Sequence, residues 1–392
     1  MKWAARVMPV MTRLPLLGLL LTGACGVAEM APLQSPTPTP LQASDFDGSL
    51  QRLVVAANPR GGAYLAGITQ GEGLPVFVRP DGTQIELPDA LPDADEIVLA
   101  AGPGGQLHAA WRAARVLYYT RVDAHSYEGE TVQVGEASVE GLSLAVAQDG
   151  RVALSFVRGH YSRSPQLQAA VLLGSLEAGF EDQAQINAQC CGEGWGSDGG
   201  WRVTHASLSF DQQGRLHLAY TWNGNDGTVI DYVRHEGGQW NFVTRLAGEL
   251  QMGAPNLQVE QYAQRVMYFD DSSSQLMQAI VRDDQFQPAR PYLPSSNFRA
   301  VQTVFDAQGQ LHTVGIENTT DGDQMVHIVG PAVSEARVIV PASGPERYIS
   351  LVPGAAGIAA GQAGELWVPY LRRASLRSAQ WTAALAVQPR GK

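Results

Sequence analysis

Apolar positions along this chain come in short runs that follow turns, and no stretch keeps a helical period. The runs AYLAG (from Ala63), LHAAW (Leu107), VALSF (Val152), LHLAY (Leu216), VMYFD (Val266), LHTVG (Leu311) and LWVPY (Leu366) begin 44, 45, 64, 50, 45 and 55 residues apart. Six of the seven have glycine two positions upstream, at Gly61, Gly105, Gly150, Gly214, Gly309 and Gly364; the exception is Gln264. Glycine at a fixed offset supplies the positive φ of a tight hairpin turn. Asp149, Asp211 and Asp306 lie in three of these turns, where a carboxylate can cap local backbone amides. An upstream strand is legible in GLSLAVA (141–147), HASLSF (205–210) and AVQTVF (300–305). A third and fourth strand follow downstream, as in TVIDYVRHEGGQWNFVTRL (228–246).

Four strands in every 45–50 residues predict an all-β fold, a seven-bladed β-propeller of four-stranded antiparallel blades, with six or eight blades as the alternative. Solenoid repeats are typically shorter, and two or three β-sandwiches would leave the regular glycine unexplained. The stretch 377–389 offers one clear strand, so blade one or seven is expected to be completed from the other terminus. The fifth residue of the second strand is Trp111, Phe156, Tyr220 and Tyr370 in four repeats, which marks packing between blades. His108, His217 and His312 share one repeat position. Equivalent positions in a ring point between different sheets, so the expectation is a buried histidine bonded to neighbouring backbone, not a three-histidine metal site.

The N-terminus reads as an address. Lys2, Arg6 and Arg13 precede an apolar stretch, Leu14 to Leu21, that is too short to span a bilayer. Small residues then lead to Cys25, and Leu21-Thr22-Gly23-Ala24-Cys25 resembles a bacterial lipoprotein signal, in which the cysteine is lipidated after cleavage. The expected organisation is a signal peptide at 1–24, a lipidated Cys25 with a Pro/Thr-rich tether over 25–44, and a propeller over 45–392. Ser-Pro-Thr-Pro-Thr-Pro in the tether favours extended polyproline II.

The chain is 45% hydrophobic and 17% charged, with a net charge of −11. Cleavage at Cys25 removes three cations and no acid, leaving −14. That charge disfavours nucleic acid as a partner, and an anionic bilayer surface except through the lipid. The predicted location is the cell envelope outside the cytoplasmic membrane, with the protein a monomer.

LHLAYTWNGNDGTVIDYVRHEGGQW resembles the sialidase-like, or BNR/Asp-box, propeller repeats through Gly214, Leu216, His217, Tyr220, Tyr232, Gly237 and Trp240. Val233 and His235 replace the Ser and Asp of the full Asp box. The resemblance implies a propeller that takes ligands on the face carrying the second-to-third-strand and inter-blade loops.

The 64-residue interval holds the one long insertion, CCGEGWGSDGGWRVT (190–204). In an exported protein its adjacent Cys190 and Cys191 are expected to be oxidised, as a vicinal disulfide, with free or intermolecular thiols and a soft-metal site as alternatives. The candidate ligand-binding residues on the loop face are Arg158, Tyr161, Glu193, Trp195, Asp198, Trp201, Trp222, Asn223, Asp226, Asp270, Glu317 and Arg372. Aromatic rings beside carboxylates, amides and guanidiniums suit a sugar or another polar ligand. No catalytic residue can be assigned, since neither an arginine triad nor a Tyr–Glu pair is placeable. No cofactor or metal is expected. The expected function is non-catalytic binding of a glycan or protein at the cell surface; the alternatives are a sialidase-like hydrolase or lyase and a scaffold subunit of an envelope complex.

Overall fold

Six of the seven repeat starts are the first residues of β-strands: Ala63, Leu107, Val152, Leu216, Leu311 and Leu366. The remaining strand begins two residues ahead of its apolar run, at Gln264. A computed structural model describes residues 50–85, 92–123, 129–136, 139–158, 168–186, 202–224, 227–236, 238–248, 256–259, 264–270, 273, 275–292, 298–306, 310–330, 337–340, 348–351, 358–361, 365–373 and 382–388. These residues form seven small antiparallel sheets in a ring, a seven-bladed β-propeller, with no helix among them. The blades span 50–85, 94–136, 139–186, 202–248, 256–291, 298–340 and 348–388.

Within a blade the strands pair in chain order, and the first strands of successive blades touch one another, so they line the axis. Two blades depart from the simple count. In blade five the outer strand comes as two pieces, Gln285–Phe286 and Arg290–Pro291, both paired with Gln275–Arg282. In blade seven the inner strand is split instead, into Tyr348–Leu351 and Ala359–Ala360, both paired with Leu366–Arg373.

The glycine signal has the cause expected of it. Gly61, Gly105, Gly150 and Gly214 have φ of 107°, 78°, 86° and 73°, where a side chain is strained. Gly309 and Gly364 lie outside the described residues. Asp211 Oδ1 accepts from the N–H groups of Gln213 and Arg215, Asp149 Oδ1 from Arg151, and Asp306 Oδ1 from Gln310. These hairpins define a turn end of the ring. The opposite, loop end carries the second-to-third-strand connections.

Among the described residues, the buried side chains fall into seven clusters, one at each blade interface. A blade buried on both faces explains why the second strands read as solid apolar runs in place of an alternating pattern. Leu107, Ala109 and Trp111 face blade one, while Ala110 faces blade three. Trp111 is fully buried, with Phe77 edge-on at 5.9 Å and Tyr118 stacked at 5.6 Å. Burying about 200 Å² of such a ring contributes about 5 kcal/mol before entropy is counted. Phe156, Tyr220 and Tyr370 are likewise buried.

Ring closure differs from the expected strand exchange. All described strands of blade seven come from the C-terminal stretch, and those of blade one from 50–85. The seam is packing: Val55, Ala63, Leu65 and Val78 meet Ala359 and Trp367. Blade one's inner strand begins at the loop end, where Leu50 pairs with Thr69. The last strand of blade seven finishes at the turn end, where Gln388 pairs with Leu366.

The repeat histidines are buried, as expected, but they bond to side chains where backbone was expected. His217 Nδ1 lies 2.5 Å from the Tyr232 hydroxyl, and its Nε2 lies 3.1 Å from Asp211 Oδ2. In blade six His312 bridges His327 Nε2 (3.0 Å) and Asp306 Oδ2 (3.3 Å). In blade two His108 Nδ1 meets the Tyr119 hydroxyl at 2.6 Å. Burial holds the His217 imidazole below its ordinary pKa, so the neutral ring donates from Nε2 and accepts at Nδ1. In blades four and six the relay ties the turn to the third strand of its own blade; in blade two only the bond to the third strand is present among the described residues. Among the described residues no cluster of His, Cys, Asp and Glu could hold a metal ion.

Candidate functional site

The loop end is where the second strands change character. In blade six the strand Leu311–Thr319 is buried through Ile316, then turns polar at Glu317, Asn318 and Thr319. These polar tips are held by their neighbours across the hairpin. Gln324 Nε2 donates to Glu317 Oε2 at 2.6 Å, and Asn318 Nδ2 donates to Asp323 Oδ1 at 3.2 Å. In blade five Asp270 ends its strand almost fully buried and accepts from the Ser273 hydroxyl at 2.6 Å. Its charge and, above all, burial raise the Tyr268 hydroxyl to about 12.

Of the other sequence-predicted residues, the backbones of Arg158, Trp222, Asn223 and Arg372 are placed. Each sits at the loop end of its second strand, paired with Gln168, Val229, Thr228 and Thr382 respectively. Tyr161, Glu193, Trp195, Asp198, Trp201 and Asp226 lie outside the described residues, as do Cys190, Cys191 and Cys25.

A second feature of this end was not singled out from the sequence. The inner strands of blades one, two, three, four and six each carry a register shift near their start, at Leu50/Arg52, Ala94/Glu96, Val139/Ser143, Val203/His205 and Phe298/Ala300. Such bulges re-aim side chains. Beyond the one in blade two, Glu96 turns into the interface with blade three, only 6% exposed. Its Oε1 accepts from the N–H groups of Gly141 (2.8 Å) and Leu142 (2.9 Å) on the next inner strand. Ser143 and Ser207 repeat this device, each accepting from the following inner strand through Leu208 N and Leu257 N, both at 3.1 Å.

Glu96 is the charged member of that series. Burial raises its pKa, against the pull of the two backbone N–H groups and of Arg112. Arg112, itself buried, grips Asp95 through Nε (2.7 Å) and Nη2 (2.8 Å). Glu96 Oε2 and Arg112 Nη1 are both buried with no hydrogen-bond partner among the described residues. Burial and the neighbouring guanidinium thus act on this carboxyl in opposite directions. Here the same carboxyl also staples blade two to blade three.

No protein-family model matches the chain, and no curated protein matches it. Solved structures match its fold at low identity. An α-L-arabinanase from Penicillium chrysogenum, solved with arabinobiose, is similar at 14% identity over 62% of this chain and 80% of its own, with a TM-score of 0.42. The polysaccharide lyase Uly1 is similar at 10% identity over 83% and 88%, with a TM-score of 0.48. A protein of unknown function from Dyadobacter fermentans is similar at 11% over 87% and 95%, with a TM-score of 0.47.

Two kinds of residue escaped the sequence reading. Glu96 and Arg112 had a visible signal, a charge inside the otherwise apolar segments ADEIVLAA (94–101) and LHAAWRA (107–113). The relay partners Tyr119 and His327 had a weaker one, an aromatic ring 11 or 15 residues after the histidine, and Tyr232, noted only as a repeat residue, shares the 15-residue offset.

Proposed function

We propose that this chain is an exported, lipid-anchored propeller that binds a polar ligand, a glycan or a protein surface rich in hydroxyls and amides, on its loop end. The observation that carries the reading is the blade-six hairpin. Glu317 and Asn318 are fixed by Gln324 and Asp323 where the buried strand gives way to the surface. Polar groups already held in place lose little freedom when they meet a ligand, which favours recognition. A scaffold role is less favoured, because the large hydrophobics exposed among the described residues are Phe242 and Val338 only. Envelope anchoring rests on the Cys25 segment, and the insertion with Trp195 and Trp201 supplies the stacking surface.

Binding to a glycan array, repeated with Glu317→Ala and with Trp195→Ala/Trp201→Ala, tests the reading. Signals that the parent shows and the variants lose support it; identical profiles for all three proteins refute it. Cys25→Ser is expected to move the mature protein out of the membrane fraction.

A glycoside hydrolase or lyase is the second reading, and the carboxylates Glu317 and Asp270 at the loop end are its candidates. Turnover of an arrayed glycan that is lost in Glu317→Gln, with the fold intact, would replace binding by catalysis.

A further inference from the structure

The last strand of blade seven, Thr382–Gln388, pairs with Leu366–Arg373 and with no other strand among the described residues, so the outer edge of this blade is open. The other blades blunt their edges, as exposed strands must. The outer strands Gly129–Glu136, Gly179–Ile186, Gln239–Gly248 and Arg337–Val340 each bulge by one extra residue, at Val134, Gln183, Val243 and Ile339. The outer strand of blade one is the two residues Gln84–Ile85, and that of blade five is split. Thr-Ala-Ala-Leu-Ala-Val-Gln has no bulge, no charge and no proline.

The turn before the second strand decides which backbone groups this edge presents. Gly361 N–H donates to the Glu365 carbonyl at 2.8 Å. Antiparallel pairing alternates from there, so odd-numbered residues of Leu366–Arg373 face the inner strand and even-numbered ones face Thr382–Gln388. Pro369 fits this order: it has no N–H to give, and it stands opposite the break in the inner strand between Leu351 and Ala359. Since Val368 pairs with Ala386 and Pro369 with Leu385, the N–H and C=O groups of Ala383, Leu385 and Val387 point away from the blade.

The strand is also less covered than its counterparts. Leu385, Ala386 and Val387 are half-buried, whereas Ala170, Val171, Val326 and Ile328 in the third strands of blades three and six are buried. The flanking edges leave room for a partner, because the outer strand of blade one has two residues and that of blade six has four. The blade-six strand touches Thr382–Gln388 and carries Val338, which is 52% exposed.

We propose that two copies of the chain pair through this edge, antiparallel about a two-fold axis at Leu385, in place of the monomer expected from the sequence. The segment is close to self-complementary. Leu385 meets its own copy, Ala384 meets Ala386, Ala383 meets Val387 and Thr382 meets Gln388, so small residues oppose small ones and the polar ends oppose each other. In that register the outward groups face one another, and the three N–H and three C=O groups of each copy close six hydrogen bonds. No charge is opposed, although each chain carries −11 overall. Antiparallel pairing of identical strands is isologous, so assembly stops at two copies. An edge of seven residues falls short of the roughly 1,200 Å² of a standard interface, which places the dimer in the weak class. The edge lies on the flank of the ring and does not depend on ligand binding at the loop end.

Sedimentation of the intact protein from low micromolar to several hundred micromolar tests the proposal, together with amide hydrogen exchange at both ends of that range. The mass is expected to rise from one chain to two and no further. The amides of Ala383, Leu385 and Val387 are expected to gain at least tenfold protection at high concentration, while those of Ala384 and Ala386 stay protected throughout. Ala383→Pro removes an outward N–H and no bond within the blade, so it is expected to raise the dissociation constant at least tenfold with the circular dichroism spectrum unchanged. The proposal is overturned if the protein stays a single chain over the whole range, or if the variant folds and dimerises like the parent. It is equally overturned if the three outward amides exchange alike at both concentrations. Protection of all three in the single chain would show that another segment of the same chain covers the edge. Should Ala383→Pro fail to fold, the exchange pattern of the parent decides alone.

Discussion

Replacing Tyr232 by Phe removes one oxygen from the sealed interface between blades four and five, and the structure fixes what that costs. Tyr232 and His217 are both fully buried, with their rings stacked at 5.9 Å and 19°. Phenylalanine keeps that stack and the edge contact with Phe286 at 6.4 Å, so almost no packing is lost. What goes is the hydroxyl donating to His217 Nδ1, while Nε2 remains on Asp211. Nδ1 is then a buried acceptor with no partner. Such an orphan costs about 1–3 kcal/mol, and the sealed site argues for about 2 kcal/mol, a roughly thirtyfold change in the unfolding constant. Urea unfolding followed by tryptophan fluorescence is expected to show a lower midpoint at unchanged slope. A loss below about 0.5 kcal/mol would mean that water reaches Nδ1, and the claim that the relay is a closed device would fall.

Further outcomes follow from other sites. Glu96→Gln keeps an acceptor for Gly141 and Leu142 while removing a buried charge, so at neutral pH it is expected to be neutral or stabilising; Glu96→Ala strands both N–H groups and is expected to cost about 2–4 kcal/mol by the same urea assay. Burial lowers His108 and His327 to about 4 each. The unfolded chain, with histidines near 6.5, takes up more protons between about pH 6.5 and 4, so stability is expected to fall with acid by about 1.4 kcal/mol per unit per histidine; a flat pH profile there refutes it. Gly150→Ala meets no atom within 4 Å and carries only the strain of its φ of 86°, about 1–2 kcal/mol. Gly174→Ala would place its Cβ 2.0 Å from the Gly179 carbonyl oxygen, and is expected to lower the melting midpoint well beyond Gly150→Ala.

The blades were legible because each second strand is buried on both faces and preceded by a turn that needs glycine. Leu107 and Leu216 could be located to the residue for that reason. The seam was not legible, because strand exchange and side-chain packing between Trp367 and Val55 leave the same apolar pattern. Among the candidate site residues, Glu317 and Asp270 were readable as polar ends of apolar runs. Glu96 was not, because its aim comes from a bulge, and a bulge depends on the register between two strands. An asymmetry in side-chain size at the turn end was equally hidden. Alanine at positions 57, 101 and 360 is unremarkable until pairing makes those positions equivalent to Phe210 and Phe305.

The ring is vectorial, because Leu50 starts at one pole and Gln388 stops at the other. Whatever holds the protein by its N-terminal side pulls on the pole that carries Glu317 and Asp270, and whatever holds it beyond Gln388 pulls on the pole with the glycine hairpins. A sensor chip coupled through a C-terminal tag would therefore present the loop pole to the flowing sample, and an N-terminal tag the hairpin pole.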